Sequence, residues 1–259
     1  MPRVIETFVV GGIVKMRRAF TAGPFLDVGL VSTYQQAHEK ETMRMTNTRI
    51  PTGGTYAKDE RVTSMTIAIN FREFISSVMA TLLWASVKDV PSAVQPPESV
   101  VVKVGMTSVL TKMPLEITAL VEDTTDPDPE EFDLDNIKMT GAGFEVLEGG
   151  DLATAIGSKD NFKVKVTYKC ADYDEIQALV NSGEEWEILF EGANGSGTKG
   201  RVNNRYWRCK FGLVESLDWI SVEDYMGMQA TAEVLADESR VGDSMSQYMA
   251  TQKETRRAA

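Results

Sequence analysis

Few residues of this 259-residue chain have the types and spacing that chemistry demands. His38 is the single histidine, and Cys170 and Cys209 are the two cysteines. A Ser-His-Asp or Cys-His arrangement needs a base beside its nucleophile; with His38 the single imidazole and no Ser or Cys in a recognisable activated neighbourhood, such a triad is excluded unless a lysine substitutes. His38 sits between Gln36 and Glu39 in a polar stretch, which reads as a surface histidine. Asp126, Asp128 and Glu130 alternate as calcium ligands do in a metal-binding loop. That loop type requires glycine at its sixth position and a bidentate glutamate at its twelfth, whereas those places hold Glu131 and Ile137. The segment therefore reads as a solvated acidic loop. Gly192 to Gly200 is glycine-rich like a phosphate-binding loop, but Thr198-Lys199 has the wrong order and both flanks read as strands. It reads as a hairpin tip. Carboxylate neighbours such as Glu39 with Glu41 and Glu223 with Asp224 have no visible pocket to separate their pKa values. No catalytic, cofactor-binding or metal-ligating residue is assigned.

The elements that would hold such residues are mostly strands. Trp186, Ile188 and Phe190 alternate with Glu187, Leu189 and Glu191, the period of two expected of a half-buried strand. Tyr206, Arg208 and Lys210 interleave with Trp207, Cys209 and Phe211. Met226, Met228, Ala230, Ala232 and Val234 interleave with Tyr225, Gly227, Gln229, Thr231 and Glu233. Further strands are expected over Phe8 to Met16, Phe25 to Gln36, Arg61 to Asn70, Ser99 to Val104, Leu115 to Val121 and Phe162 to Cys170, with His38 to Asn47 strand-compatible. Phe71, Phe74, Ile75, Val78, Met79, Leu82 and Leu83 recur at helical spacing. Asn70 and Glu73 read as that helix's capping box. Asp172 to Asn181 reads as a second, short helix ending at Gly183. The fold class is mainly β, an antiparallel sandwich or barrel with one packed helix and a second short one.

Residues 1–238 read as a single β domain, with 90–160 as a possible inserted lobe and 239–259 as a flexible C-terminal arm. The two cysteines lie among apolar neighbours and read as buried thiols rather than a disulfide framework. A net charge of −11 argues against a surface that grips nucleic acid. On charge alone the acidic balance reads as one that keeps the protein in solution, and it is also compatible with a surface that phosphates slide past. No apolar run is long enough to span a membrane as a helix, and the first residues lack a secretory pattern.

The order of features in the last third resembles the major tail tube protein of long, non-contractile-tailed bacteriophages. The resemblance rests on Asp174-Glu-Ile-Gln-Ala-Leu-Val180, Trp186-Glu-Ile-Leu-Phe-Glu-Gly192, Arg205-Tyr-Trp-Arg-Cys-Lys-Phe-Gly-Leu213, and Glu223-Asp-Tyr through Ala232-Glu-Val-Leu-Ala-Asp237. It extends more loosely to Gly11-Gly-Ile-Val-Lys15, Leu26-Asp-Val-Gly-Leu-Val-Ser32 and the polar hairpin that follows. The resemblance implies a structural virion protein, not an enzyme, assembled in the host cytoplasm and located in the phage tail. It would form homohexameric rings stacked head to tail, making the tube through which DNA is ejected. Its partners would be further copies of itself, the tape-measure protein, tail completion and tip proteins, and genomic DNA in transit, with no cofactor and no membrane. Gln35, Glu39, Glu41, Gln229 and Glu233 are the candidate lumen residues, and Arg44, Arg49 and Lys58 the candidate ring-stacking loop. Either terminal arm could order on stacking. A secretion-system tube protein and a monomeric β-rich binding module, using Trp186, Trp207 and Trp219 as an aromatic patch, are the alternatives.

Overall fold

Alternating polar and apolar residues give the chain strands with one greasy face, and a computed structural model shows how those faces meet. It describes residues 10–195, 200–217, 219–220 and 225–254. The chain begins with β1 (Val10–Arg18), β2 (Leu26–Asp27), β3 (Val31–Thr46), β4 (Thr55–Phe71), α1 (Ser76–Leu82) and β5 (Ser86–Val90). It continues through β6 (Glu98–Val101), β7 (Thr107–Val109), β8 (Pro114–Glu122), a 3-10 turn (Leu134–Asn136), β9 (Ile137–Thr140), β10 (Gly143–Val146), α2 (Asp151–Ile156) and β11 (Lys163–Cys170). It ends with β12 (Tyr173–Gln177), β13 (Glu185–Asn194), β14 (Arg201–Phe211), β15 (Ser216–Leu217), β16 (Met228–Val234) and β17 (Met249–Lys253). The fold is mainly β, with antiparallel sheets and two short α-helices.

Two compact units emerge: residues 1–87 with 176–259, and residues 88–175. The second is wider than the lobe expected over 90–160. Charge divides unevenly between them. Residues 88–175 hold 18 of the 38 acidic residues but 8 of the 27 basic ones, so their net charge is −10 against −1 for the rest. The acidity read from composition is therefore a property of the inserted unit.

In the first unit the sheet order is β2-β1-β13-β14-β16-β4-β3, with β15 on β16 and β17 on β14. Its two ends are joined through the chain itself. β2 pairs with β1, three residues follow, and β3 pairs with β4. The Val28 amide donates to the Val14 carbonyl at 3.2 Å and the Arg72 amide to Leu30 at 2.8 Å, so both pairings run into the corner. Gly29 turns it at φ +80, and a Cβ there would lie 2.9 Å from Glu73 Cβ. A glycine is required on both counts. One bent strand thus closes the sheet at this corner. Away from it both edges are open among the described residues: β1 over Val10–Ile13 pairs only with β13, and β3 only with β4.

The inward face carries Val14, Met16, Ile67, Ile69, Phe71, Ile188, Tyr206, Cys209, Phe211, Met228, Ala230, Ala232 and Val234, all buried. Each large apolar side chain removed from water there contributes roughly 1.5–3 kcal/mol. α1 lays Val78, Met79 and Leu82 onto this core. The expected capping box does not form, because β4 runs on through Asn70, which pairs with Gln229, and the helix starts only at Ser76. Register along β14 also departs from simple alternation. A bulge opposite Trp186 and Ile188 places Tyr206, Cys209 and Phe211 inside, so the buried phase shifts between 206 and 209.

Two further expectations are corrected. Asp172 to Asn181 is not helical: Tyr173–Gln177 is a strand paired with β5, and Leu179 sits at φ 62. Pairing with β5 overrides the local helical spacing. The second helix is instead α2, which buries Leu152 and Ile156 and ends at Gly157. The C-terminal segment is not a free arm through Glu254, because β17 pairs Met249–Lys253 with Tyr206–Val202. Residues 255–259 lie outside the described residues.

The second unit has two three-stranded sheets, β7-β10-β9 and β6-β11-β8. Phe144 and Val146 of one, and Val164, Val166, Tyr168 and Ile117 of the other, share one core with Leu152 and Ile156.

Candidate assembly interface

Directly paired strand residues share a face, so the register fixes the outward surface of the first unit. Gln35 faces Ala68, which faces Thr231; Gln229 faces Asn70; Glu233 faces Thr66 on one side and Lys210 on the other. Glu39 lies opposite Ser64, whose hydroxyl donates to Glu39 Oε2 at 3.1 Å. Glu41 lies opposite Arg61. A bulge in β4 at Thr63 keeps this surface continuous, since β3 itself alternates without interruption from Thr33 to Met45. All five candidate lumen residues are exposed and lie on one face. The hydroxyls and amides of Thr33, Gln35, Ser64, Thr66, Asn70 and Gln229 dominate it, with Glu39, Glu41 and Glu233 outnumbering Arg61 and Lys210.

The same face over β1, β13 and β14 is different: its charges are spent on each other. Glu187 is buried, accepting from Arg17 Nε at 2.6 Å and from Arg205 Nε on its other oxygen. Phe25 lies under both guanidinium groups, 4.5 Å from Arg17 and 5.8 Å from Arg205. Arg208 grips Glu185 with two hydrogen bonds of 2.7 Å, and this holds the Glu185 carboxyl below the usual range. Lys15 meets Glu191 at 2.6 Å. Sequence reasoning missed these pairs, because the partners stand 18 or more residues apart and only the register joins them.

β3 and β4 extend beyond the rest of the sheet. β16 reaches β4 only from Phe71 to Thr66, so Glu39–Thr46 and Thr55–Ser64 form a two-stranded ribbon exposed on both faces. Its faces differ in charge. One carries Glu39, Glu41, Asp59 and Arg61; the other Lys40, Arg44, Lys58 and Glu60. Lys40 and Lys58 both donate to Glu60, which lowers the Glu60 pKa. Arg44 stands directly opposite Lys58, whose charge Glu60 already meets. Arg49 sits at the tip, its amide bonded to Asn47 Oδ1 at 2.9 Å. The three candidate stacking residues are thus together on the outer half of the ribbon, beside exposed Met43, Met45, Ile50 and Tyr56.

The other sequence candidates fall away from chemistry. His38 is exposed and its Nε2 lies 2.6 Å from Gln36 Nε2. Both cysteines are free and buried, and burial first, then the Glu187 charge, pushes the Cys209 thiol up to about 12. Among the described residues no cluster of three or more His, Cys, Asp or Glu is placed to hold a metal ion. No described helix is long and apolar enough to cross a membrane. Part of the Gly192 to Gly200 turn, residues 196–199, lies outside the described residues. Trp186 is buried, while Trp207 is half-buried, with the Arg240 guanidinium 3.6 Å from its ring centre.

No curated protein is similar enough to this chain to match it. A family model described as "Protein of unknown function UCP028589" matches residues 7–252. That span takes in both units and every candidate residue above, and the chain belongs to this family.

Proposed function

We propose that the chain is a structural virion subunit that polymerises as stacked hexameric rings to form a phage tail tube, the conduit for DNA ejection. The observation that carries this reading is the division of labour on one sheet. The inward face is a closed apolar core, the outward face is uncharged to weakly acidic over β16, β4 and β3, and both lateral edges are open. Open edges offer backbone donors and acceptors to further copies, and a closed ring removes them from competing partners. A surface of hydroxyls, amides and a slight acidic excess lets a phosphate polymer pass without capture. The ribbon supplies a contact along the tube axis. On this reading the tape-measure protein fills the lumen before DNA, and tail completion and tip proteins bound the ends. The protein acts without a cofactor and is not an enzyme.

A carbohydrate-type binding module would need its tryptophans gathered on an open concave face. The burial of Trp186 and the cover over Trp207 argue against that arrangement. Negative-stain microscopy of concentrated protein tests the proposal. Striated tubes or rings are expected; discrete particles of monomer size at every concentration would oppose it.

A further inference from the structure

We infer that a pocket at the end of the first unit remote from the ribbon receives the ribbon tip of the next copy, Ile50-Pro51. The inference rests on the proposed tube and deepens it by naming the receptor for the stacking contact.

The pocket encloses about 290 Å³ between α1, the segment after it and the start of β13. Ser77, Ala80 and Thr81 form its helical wall, Trp84 and Trp186 its aromatic surface, and Arg18 with Glu184 its charged rim. The wall exists because α1 keeps small residues on the face turned away from Val78 and Leu82. Trp84 is held at φ 50, a costly conformation for a bulky residue. The Ala85 amide bonded to Ala80 and the Asn181 amide bonded to the Trp84 carbonyl keep it there. At this size the pocket accepts one or two side chains and no secondary-structure element.

Position selects the occupant. Arg18, Trp186, Cys209 and Val234 lie in one register row, one step past Glu233–Thr66, the last pair of the β16–β4 ladder, and so level with Met65. From Met65 the ribbon runs ten residues to Thr55, about 33 Å at strand spacing, away from the pocket. Knob and hole at opposite ends of one unit make a heterologous contact that repeats along an axis, whereas neighbours in one patch would give a closed dimer. The tip is also pre-shaped. The Asn47 amide bonds to the Gly54 carbonyl at 2.7 Å, the Gly53 amide to Ile50 at 3.1 Å, and Gly53 and Gly54 take positive φ. Ile50 is half exposed although it is the most apolar residue of the turn. In the pocket it would lie against indole rings and small helical residues, and Arg49 would bring Glu184 a second cation beside Arg18.

The test pairs Ile50→Cys with Ala80→Cys in one full-length chain. The native thiols are buried and should stay silent under mild oxidation. Polymerising protein is expected to give a ladder of reductant-sensitive covalent oligomers, and each single-cysteine variant none. Ile50→Asp and Ser77→Lys, both at exposed positions, should raise the concentration needed for polymerisation tenfold or more. Tubes that form normally in Ile50→Asp, or that give no ladder from the double variant, overturn the pocket assignment and leave the tube reading standing. Protein that stays monomeric at all concentrations, with no ladder, overturns both.

Discussion

Replacing Glu187 with alanine should be among the most damaging single changes outside the apolar core. Its side chain is 7% exposed, against 21% for Arg17 and 40% for Arg205. The two guanidinium groups approach different oxygens of one carboxylate, so its removal leaves two cations facing each other over Phe25 with no anion between them. Breaking a buried ion pair by deleting one partner costs about 3–5 kcal/mol, because the surviving charge stays desolvated. Here the survivors can swing partly into water, so the lower half of that range is expected. Arg17→Met should cost less, about 1 kcal/mol, since Glu187 keeps Arg205 and Arg17 is itself more exposed than the carboxylate it meets. Denaturant unfolding followed by tryptophan fluorescence is the assay. Trp84, Trp186, Trp207 and Trp219 all lie in the first unit and none in residues 88–175, so the signal reads this unit alone. A loss below about 1 kcal/mol for Glu187→Ala, or a larger loss for Arg17→Met, would refute the argument that the carboxylate is the buried hub of the cluster.

Reversing Glu39 or Glu41 to lysine should leave tubes intact by electron microscopy and slow DNA delivery; normal delivery would remove these residues from the lumen. Ending the chain before Met249 should cost about 1–3 kcal/mol and speed amide exchange over Val202–Tyr206, because β17 supplies their ladder partners; unchanged exchange would show that β17 adds nothing. The acid limb of stability should be shallower in Glu185→Gln. The folded-state pKa of Glu185 is lowered by Arg208, so its contribution is present above the unfolded value of about 4.3 and fades as pH falls through the lower folded one. At the alkaline end the Cys209 thiol, raised to about 12, keeps its proton in the folded state while the unfolded thiol loses it above about 8.5. Stability should therefore fall as pH rises from about 8.5, at up to roughly 1.4 kcal/mol per pH unit, and Cys209→Ala should flatten that limb up to about pH 10, above which the raised Tyr34 and Tyr206 hydroxyls add a loss of the same sign.

Much of the first unit was legible where one face of a strand is buried. Met228, Ala230, Ala232 and Val234 face the core as their alternation requires, where Ile67 and Ile69 are buried beside them and Met65 packs half-buried. Alternation fails at bulges, where one or two residues are added without any sign in composition, as between Tyr206 and Cys209. Helix ends and short helices were the weaker readings. Asn70 has the chemistry of a cap but is held in a strand by Gln229, and the Asp172 segment has helical spacing but finds β5 as a partner. Both outcomes depend on residues far away in the chain. The candidate surface was readable as residue types: Gln229 and Glu233 alternate with Met228, Ala230, Ala232 and Val234, while Gln35, Glu39 and Glu41 share one phase of a strand that is polar on both faces. What could not be read was that Lys15, Arg17, Arg205 and Arg208 are neutralised within the sheet, leaving the acid on β3 and β16 as the local excess. Nor did composition reveal that most of the net negative charge belongs to residues 88–175.

A tube for DNA requires the polar face to point inward in the assembled particle. A cryo-electron microscopy map of polymerised protein is predicted to show six copies per ring, joined across the open edges of β1 and β3, with Gln35, Glu39, Gln229 and Glu233 lining a continuous lumen. A particle in which that face meets bulk solvent on the outside, or in which the β1 and β3 edges stay unpaired, would contradict it.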